Sequence, residues 1–209
     1  MKKTEIVELI KILKDTYPNA TCSLDFSNPF ELVVAVMLSA QCTDERVNLT
    51  TPYLFSKYPT PEAICDATIE DIEQIIHPCG FYKNKAKNLK LCAEKLVKNY
   101  NSIVPKSIEA LTSLAGIGRK SANVIRLEVF NIADGIAIDT HAKRISNRVG
   151  LSSQNDPLKI EQDLIKIIPK QYIKDINHLF VYHGRAVCTA RNPKCTSCPI
   201  KKLCNFNKC

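Results

Sequence analysis

The chain has 209 residues, 45% of them hydrophobic, and its most apolar run, Leu32 to Ala40, is far too short to span a bilayer. The polar start Met1-Lys2-Lys3-Thr4-Glu5 leads into an amphipathic pattern rather than a signal peptide, so a soluble cytoplasmic protein with no membrane partner is expected. Lys and Arg outnumber Asp and Glu by 29 to 21, a net charge of +8 that suits a polyanionic partner but also describes an ordinary solvated basic surface.

Almost every segment reads as helix. Thr4 to Lys14 places Ile6, Leu9, Ile10 and Leu13 on one face. Asn28-Pro29 supplies an N-cap and a first-turn proline for Phe30 to Ala40, and Thr60-Pro61 repeats the signal. Thr68-Ile69-Glu70-Asp71 resembles a capping box ahead of Ile72, Ile75 and Ile76. Lys83 to Asn99 is a long basic amphipathic segment with Leu89, Cys92, Leu96 and Val97 inward. Ser107 to Leu114, Arg119 to Phe130, Asp139 to Val149, Asp156 to Ile168 and Ile176 to Val187 complete the set. Gly135-Ile136-Ala137-Ile138 is the one strand-like run and is too short to build a sheet. The expected fold class is all-α, in one large domain or two small ones, with the turn at Ala133-Asp134-Gly135 a candidate boundary.

Only six glycines are present, and two stand in Gly116-Ile117-Gly118, followed at once by Arg119 and Lys120. The stretch reads as two helices joined by a tight hairpin. Glycine permits positive φ and lets another backbone come close. The unpaired amides of the following helix carry partial positive charge and form a phosphate site that is blind to base sequence. A plain helix–helix turn explains the glycines as well; the two cations after them favour the phosphate reading. Lys120 reads either as a surface lysine or as an amine kept partly neutral by the helix N-terminus and by partial burial, able to form a Schiff base with a carbonyl carbon. Asp139 in Ile138-Asp139-Thr140-His141 is the carboxylate such an amine would need, and also a natural N-cap.

The chain has ten cysteines. Cys22, Cys42, Cys65, Cys79 and Cys92 are scattered and read mostly as small buried apolar residues. Cys188-x6-Cys195-x2-Cys198-x5-Cys204 has the spacing of four thiolates around one inorganic centre; this chemistry alone leaves zinc and iron–sulfur open. Cys209 lies outside the spacing and reads as spare. Arg191 and Lys194 lie in the first loop and Lys201-Lys202 in the last, placed to meet phosphates or simply solvated.

Leu38-Ser39-Ala40-Gln41-Cys42-Thr43-Asp44, Gly80-Phe81-Tyr82, Gly116-Ile117-Gly118-Arg119-Lys120, Ile138-Asp139-Thr140-His141 and the cysteine spacing together make the chain resemble endonuclease III, of the helix-hairpin-helix DNA glycosylase superfamily, over essentially its whole length. The resemblance implies two helical lobes around a DNA-binding cleft. One is a six-helix bundle over about 22–132, with the hairpin at about 107–130; the other joins 1–21 to 133–209 and holds a four-iron, four-sulfur (4Fe-4S) cluster on Cys188, Cys195, Cys198 and Cys204, in the loop 188–204. It implies a monomeric repair enzyme acting on duplex DNA that contains damaged bases or abasic sites. The damaged, oxidised pyrimidine is flipped out and excised, and the strand is then cut by β-elimination. In that scheme Lys120 attacks the sugar, Asp139 assists, Gln41 fills the gap left by the flipped nucleotide, and Phe81 is a wedge. Leu114, Gly116, Gly118 and Arg119 hold backbone phosphates, joined by Arg191 and Lys194. Two departures are visible. Ala115 stands where the family commonly has Pro, which implies a less rigid hairpin, and Phe81 stands where it commonly has Leu.

Two other readings compete with this one. An adenine-removing mismatch glycosylase would lack the lysine and carry a carboxylate in the helix before the glutamine, but Leu32 to Thr43 has no acid, and the additional C-terminal domain usual in that branch is not in this sequence. A non-catalytic, zinc-stabilised DNA-binding module would keep the glycines and cysteines but has no use for Lys120 with Asp139.

Overall fold

The structure is a computed structural model that describes residues 1–206. Among them every regular element is helical: α1 Lys3–Thr16, α2 Pro29–Leu38, α3 Asp44–Lys57, α4 Pro61–Asp66, α5 Ile69–Ile76, α6 Tyr82–Tyr100, α7 Ile108–Thr112, α8 Arg119–Phe130, α9 Thr140–Val149, α10 Pro157–Ile167 and α11 Ile173–Ala186, with short 3-10 turns between some of them. The chain forms two compact units, Ser23–Ile132 and Met1–Cys22 together with the residues from Ala133 onward.

Most helices begin where a short polar side chain can take up an unpaired amide. Asn28, Thr43, Thr60, Thr68, Ser107, Asp139 and Asp156 each accept from the backbone N–H three residues on. Helices α6, α8 and α11 depart from this rule; the N-cap of α8 is Gly118, which has no side chain to offer.

In the unit Ser23–Ile132, α2 is apolar on every face and buries everything from Leu32 to Leu38, so it must be surrounded; α3, α6 and α8 pack against it. Helix α6 also packs on α4 and α5, burying Ala86, Leu89, Cys92, Ala93 and Leu96. Its lysines reach the C-terminal ends of the neighbours. Lys85 Nζ donates to the carbonyls of Leu38 (2.8 Å) and Cys79 (2.9 Å), Lys90 Nζ to those of Cys65 (3.0 Å) and Ala67 (2.5 Å), and Lys95 Nζ to that of Ser113 (2.8 Å). Terminal carbonyls lack intrahelical partners and sit at the negative end of the helix dipole, so an ammonium satisfies both hydrogen bond and charge.

In the other unit, Ile6, Leu9, Ile10 and Leu13 of α1 join Ala142, Ile145 and Val149 of α9, Ile160 and Leu164 of α10, and Ile176, Leu179 and Phe180 of α11 in one core. Lys14 and Asp175 tie α1 to α11 at 2.7 Å.

Three differences from the sequence expectations have physical causes. Helix α3 was not foreseen: its apolar stripe is weak and Pro52 lies inside it, but Thr43 caps it and Val47 and Leu54 are fully buried. The run 135–138 pairs with side chains instead of a strand, Ile136 N–H donating to Glu161 Oε1 (3.3 Å) and the Ala137 carbonyl accepting from Asn177 Nδ2 (2.7 Å). Of the scattered cysteines only Cys79 and Cys92 are buried, while Cys22, Cys42 and Cys65 are half-buried; burial pushes the Cys92 thiol up to about 12.

Replacing Lys90 by Met leaves two α4-end carbonyls unpaired. Thermal unfolding of K90M should show a loss of about 1–3 kcal/mol, the cost of orphaned polar groups.

Candidate functional site

In the unit Ser23–Ile132 the hairpin joins α7 to α8. Gly116 takes φ 78°, which favours glycine, and a Cβ there would also be crowded, 2.9 Å from Met37 Cε and 3.2 Å from Asn88 Cβ. Gly118 has neither constraint: it is extended, and a Cβ would meet nothing within 4 Å. It leaves the first turn of α8 without a side-chain cap. Arg119 and Lys120 are exposed at this open end, so the partial burial expected of Lys120 is not found. Leu114 and Ile117 are buried, and any contact of Leu114 with a ligand is therefore through its backbone.

Beside the hairpin lies an open cavity of about 210 Å³ lined in part by Gln41, Phe81, Asn84, Lys85, Asn88 and Gly116. Gln41 (φ 54°) and Phe81 (φ 48°) both hold the left-handed conformation that side chains other than glycine rarely adopt. Phe81 is also 65% exposed, as is unusual for its size, and Gln41 is exposed as well. Strain and exposed apolar surface at one rim mark residues held for a purpose other than packing.

In the other unit Asp139 caps α9, its Oδ1 accepting from Ala142 N–H at 2.7 Å; the half-buried carboxylate has a second oxygen beyond that bond. His141 lies two residues on. Burial lowers its pKa, with Arg144 and Arg185 reinforcing the shift and Asp139 opposing it.

Cys188, Cys195, Cys198 and Cys204 line one cavity of about 100 Å³. Among the described residues no three His, Cys, Asp or Glu side chains converge on a point fit for a single metal ion; the four sulfurs ring a volume instead. Cys188, Cys198 and Cys204 are free thiols. Cys209 lies outside the described residues. The ring is held from α9: Arg148 Nη1 donates to Cys188 Sγ (3.3 Å) and the Thr189 carbonyl (2.7 Å), Nη2 donates to the Ala190 carbonyl (2.9 Å), and its guanidinium stacks on Phe206. Arg144 Nε donates to the Cys188 carbonyl at 2.9 Å. His183 is buried, and its pKa is pulled down to about 4 by that burial, so the ring is neutral. With hydrogen on Nε2 it accepts from the Tyr17 hydroxyl at Nδ1 (3.0 Å) and faces Cys198 Sγ at 3.7 Å. Four soft donors around an enclosed space, with cationic and N–H donors turned toward the sulfurs, fit a thiolate-bound cluster. Arg191, Lys194, Lys201 and Lys202 all stand exposed on the same loops.

Residues 34–170 match the family model of the HhH-GPD superfamily base excision DNA repair protein, and residues 188–204 match that of the iron–sulfur binding domain of endonuclease III. The chain is 47% identical to endonuclease III of Synechocystis sp. over 97% of its own length and 93% of the relative's. It is 38% identical to that of Escherichia coli over 100% and 98%. The chain belongs to the endonuclease III family. A trapped endonuclease III–DNA covalent intermediate, an estranged-adenine complex, has the same fold with TM-score 0.93 at 41% identity, covering 100% of this chain and 98% of that one. A thermostable thymine-DNA glycosylase at 20% identity shares the fold with TM-score 0.88. Family membership decides between the two metals left open by the spacing: the cofactor is a 4Fe-4S cluster, and the matched residues 188–204 contain the four cysteines.

Sequence reasoning passed over Lys85, Arg144, Arg148 and His183. One signal was available: Lys85 falls on the apolar stripe Lys85, Leu89, Cys92, Leu96 of α6, where a lysine needs buried partners. The arginines 144 and 148 share a helix face at i, i+4, but nothing local ties that face to the cysteine loop.

Two outcomes follow. G116A, forced into positive φ against Met37, should lose about 1–3 kcal/mol in denaturant unfolding. C198A should lose bound iron and the visible absorption of the cluster, measured by metal analysis and spectroscopy after anaerobic purification.

Proposed function

We propose that this chain removes oxidised pyrimidines from duplex DNA with Lys120 as the nucleophile and then cuts the strand at the abasic site. The observation that carries the reading is the end of α8, where an uncapped first turn, the Gly116–Gly118 hairpin and an exposed Lys120 stand together in a member of a base excision repair family. The first turn of α8, which has no side-chain cap, and the adjacent Arg119 suit a backbone phosphate, a contact that fixes register without reading sequence.

A base stacked in a duplex is out of reach of any side chain, so the nucleotide must be extruded, at a cost of about a few kcal/mol that damage reduces. Gln41 and Phe81, exposed and rigidly held, are suited to occupy the space it leaves. The Lys120 amine lone pair attacks C1′, the base departs with the glycosidic electron pair, and the ammonium formed on Lys120 gives up its proton. Asp139 stabilises the positive charge developing on the sugar or accepts a proton, while its Oδ1 remains the α9 cap. Ring opening gives the imine of Lys120 with C1′. Loss of a C2′ proton then expels the 3′ phosphate as the C3′–O bond breaks.

The cluster, when bound on Cys188, Cys195, Cys198 and Cys204, supplies covalent anchors for the loop 188–204. Arg191 and Lys194 on that loop add phosphate contacts. No helix among the described residues is long and apolar enough to cross a membrane; a cytoplasmic, nucleoid-associated enzyme fits a duplex DNA substrate.

Borohydride trapping on a duplex with one thymine glycol tests the reading. Wild type should give a covalent protein–DNA band and K120Q none, its strand cleavage falling by about 10³-fold or more. Normal cleavage by K120Q would remove Lys120 from the mechanism.

A further inference from the structure

Lys85 is the one lysine of the unit Ser23–Ile132 that is buried, at 7% exposure. Its ammonium lies between two chain segments distant in sequence, donating to the carbonyl of Leu38, last residue of α2, and to that of Cys79, last residue of the 3-10 turn His77–Cys79. Each carbonyl sits just upstream of a strained residue: Gln41 is three residues beyond Leu38, and Phe81 two beyond Cys79. Lys85 also lines the cavity whose rim those two residues form.

A buried ammonium is costly unless its donors are used, and left-handed Gln and Phe are costly unless their surroundings hold them. Both costs are met by the same two bonds. Burial pulls the pKa of Lys85 below its ordinary value, with the nearby Cys42 and Cys79 opposing the shift. The second segment has further restraints: Arg46 Nη1 donates to the Pro78 carbonyl at 3.4 Å, and the His77 and Tyr82 rings pack at 4.6 Å between centroids. Gln41 and Phe81 thus project from two turns that a single side chain connects. An apolar residue at 85 would fill the same space and let the turns move independently.

We propose that Lys85 is a positioning residue for base extrusion, fixing the spacing between Gln41 and Phe81 through the carbonyls of Leu38 and Cys79. It touches neither base nor sugar. The inference rests on the proposed gap-filling role of Gln41 and Phe81. Its consequence is selective: loosening the two turns penalises removal of a base that must still be flipped, and spares reaction at a site whose base is already gone.

The test compares single-turnover excision of thymine glycol with borohydride trapping on a preformed abasic-site duplex, for wild type, K85M, K85Q, Q41A and F81A, each checked by thermal unfolding and cluster absorption. Fluorescence of 2-aminopurine placed opposite the lesion reports extrusion directly. K85M should lower excision by about tenfold or more while trapping on the abasic duplex stays within about threefold. K85Q, which keeps amide donors for the carbonyls, should fall between K85M and wild type, and it carries the test if K85M does not fold. Wild-type excision by the Lys85 variants, with Q41A and F81A impaired, overturns the positioning role and leaves the reading of the rim intact. Equal losses on both substrates overturn it as well, since a general structural defect would do the same. Unimpaired Q41A and F81A overturn the rim reading and this inference with it.

Discussion

The recurring constraint in this molecule is the unpaired carbonyl at the end of a helix or turn, and the recurring answer is a cation sent from a neighbouring helix. In one unit α6 does this with Lys85, Lys90 and Lys95, reaching the ends of α2, α4, the 77–79 turn and α7. In the other, α9 does it with Arg144 and Arg148, reaching the last turn of α11 and the residues that lead into the cysteine loop. These are tertiary bonds as well as caps: each fixes where a helix end lies relative to the helix that supplies the cation. Short helices such as α4 and α7 have little packing area of their own and depend on such bonds.

Seven amino termini are closed differently, by Asn, Asp, Ser and Thr side chains, while those of α6, α8 and α11 have no side-chain cap. Against that background the open end of α8 gains meaning. Gly118 needs no special φ and crowds nothing, so its effect lies in the cap it fails to provide. Gly116, two residues earlier, has the opposite character, required by its positive φ in a crowded place. One Gly-x-Gly therefore contains two distinct roles, one shaping the hairpin and one leaving the first turn of α8 without a side-chain cap.

Much of this was legible in the sequence because the signals were local. The Asn28-Pro29, Thr60-Pro61, Thr68 and Asp156 starts and the α1, α6, α9 and α10 stripes specify helices without reference to the rest of the chain. Helix α3 escaped notice because its long polar face and internal Pro52 dilute the period, and only burial of Val47 and Leu54 against other helices secures it. The cysteine ring was visible as a spacing, but its supports were not: Arg148 is 40 residues from Cys188 in sequence, and Tyr17 is 166 from His183. The left-handed angles of Gln41 and Phe81 had no local signal either, since the sequence places no glycine at those two positions. Long-range bonds hold them, and long-range bonds are what a linear pattern omits.

Composition shows the same limit. A net charge of +8 suggested a polyanion, yet part of that excess is internal. Lys85, Lys90, Lys95, Arg144 and Arg148 have ammonium or guanidinium hydrogens committed to main-chain carbonyls, and three of them, Lys85, Arg144 and Arg148, lie among the supports of the strained rim and of the cysteine ring. Other cations stand exposed at distinctive places: Lys120, the proposed nucleophile, at the open end of α8, and Arg191, Lys194, Lys201 and Lys202, placed to meet phosphate in the proposed function, on the cysteine loops. Phosphate contacts of this kind contribute affinity that weakens steeply with salt. The basic residues thus divide into two populations with opposite sensitivities. Salt screens the exposed set, while the carbonyl bonds of Lys85, Lys90, Arg144 and Arg148 in partly or wholly buried places are shielded from it. DNA affinity and fold stability respond separately to ionic strength in such a molecule, although the same two residue types supply both.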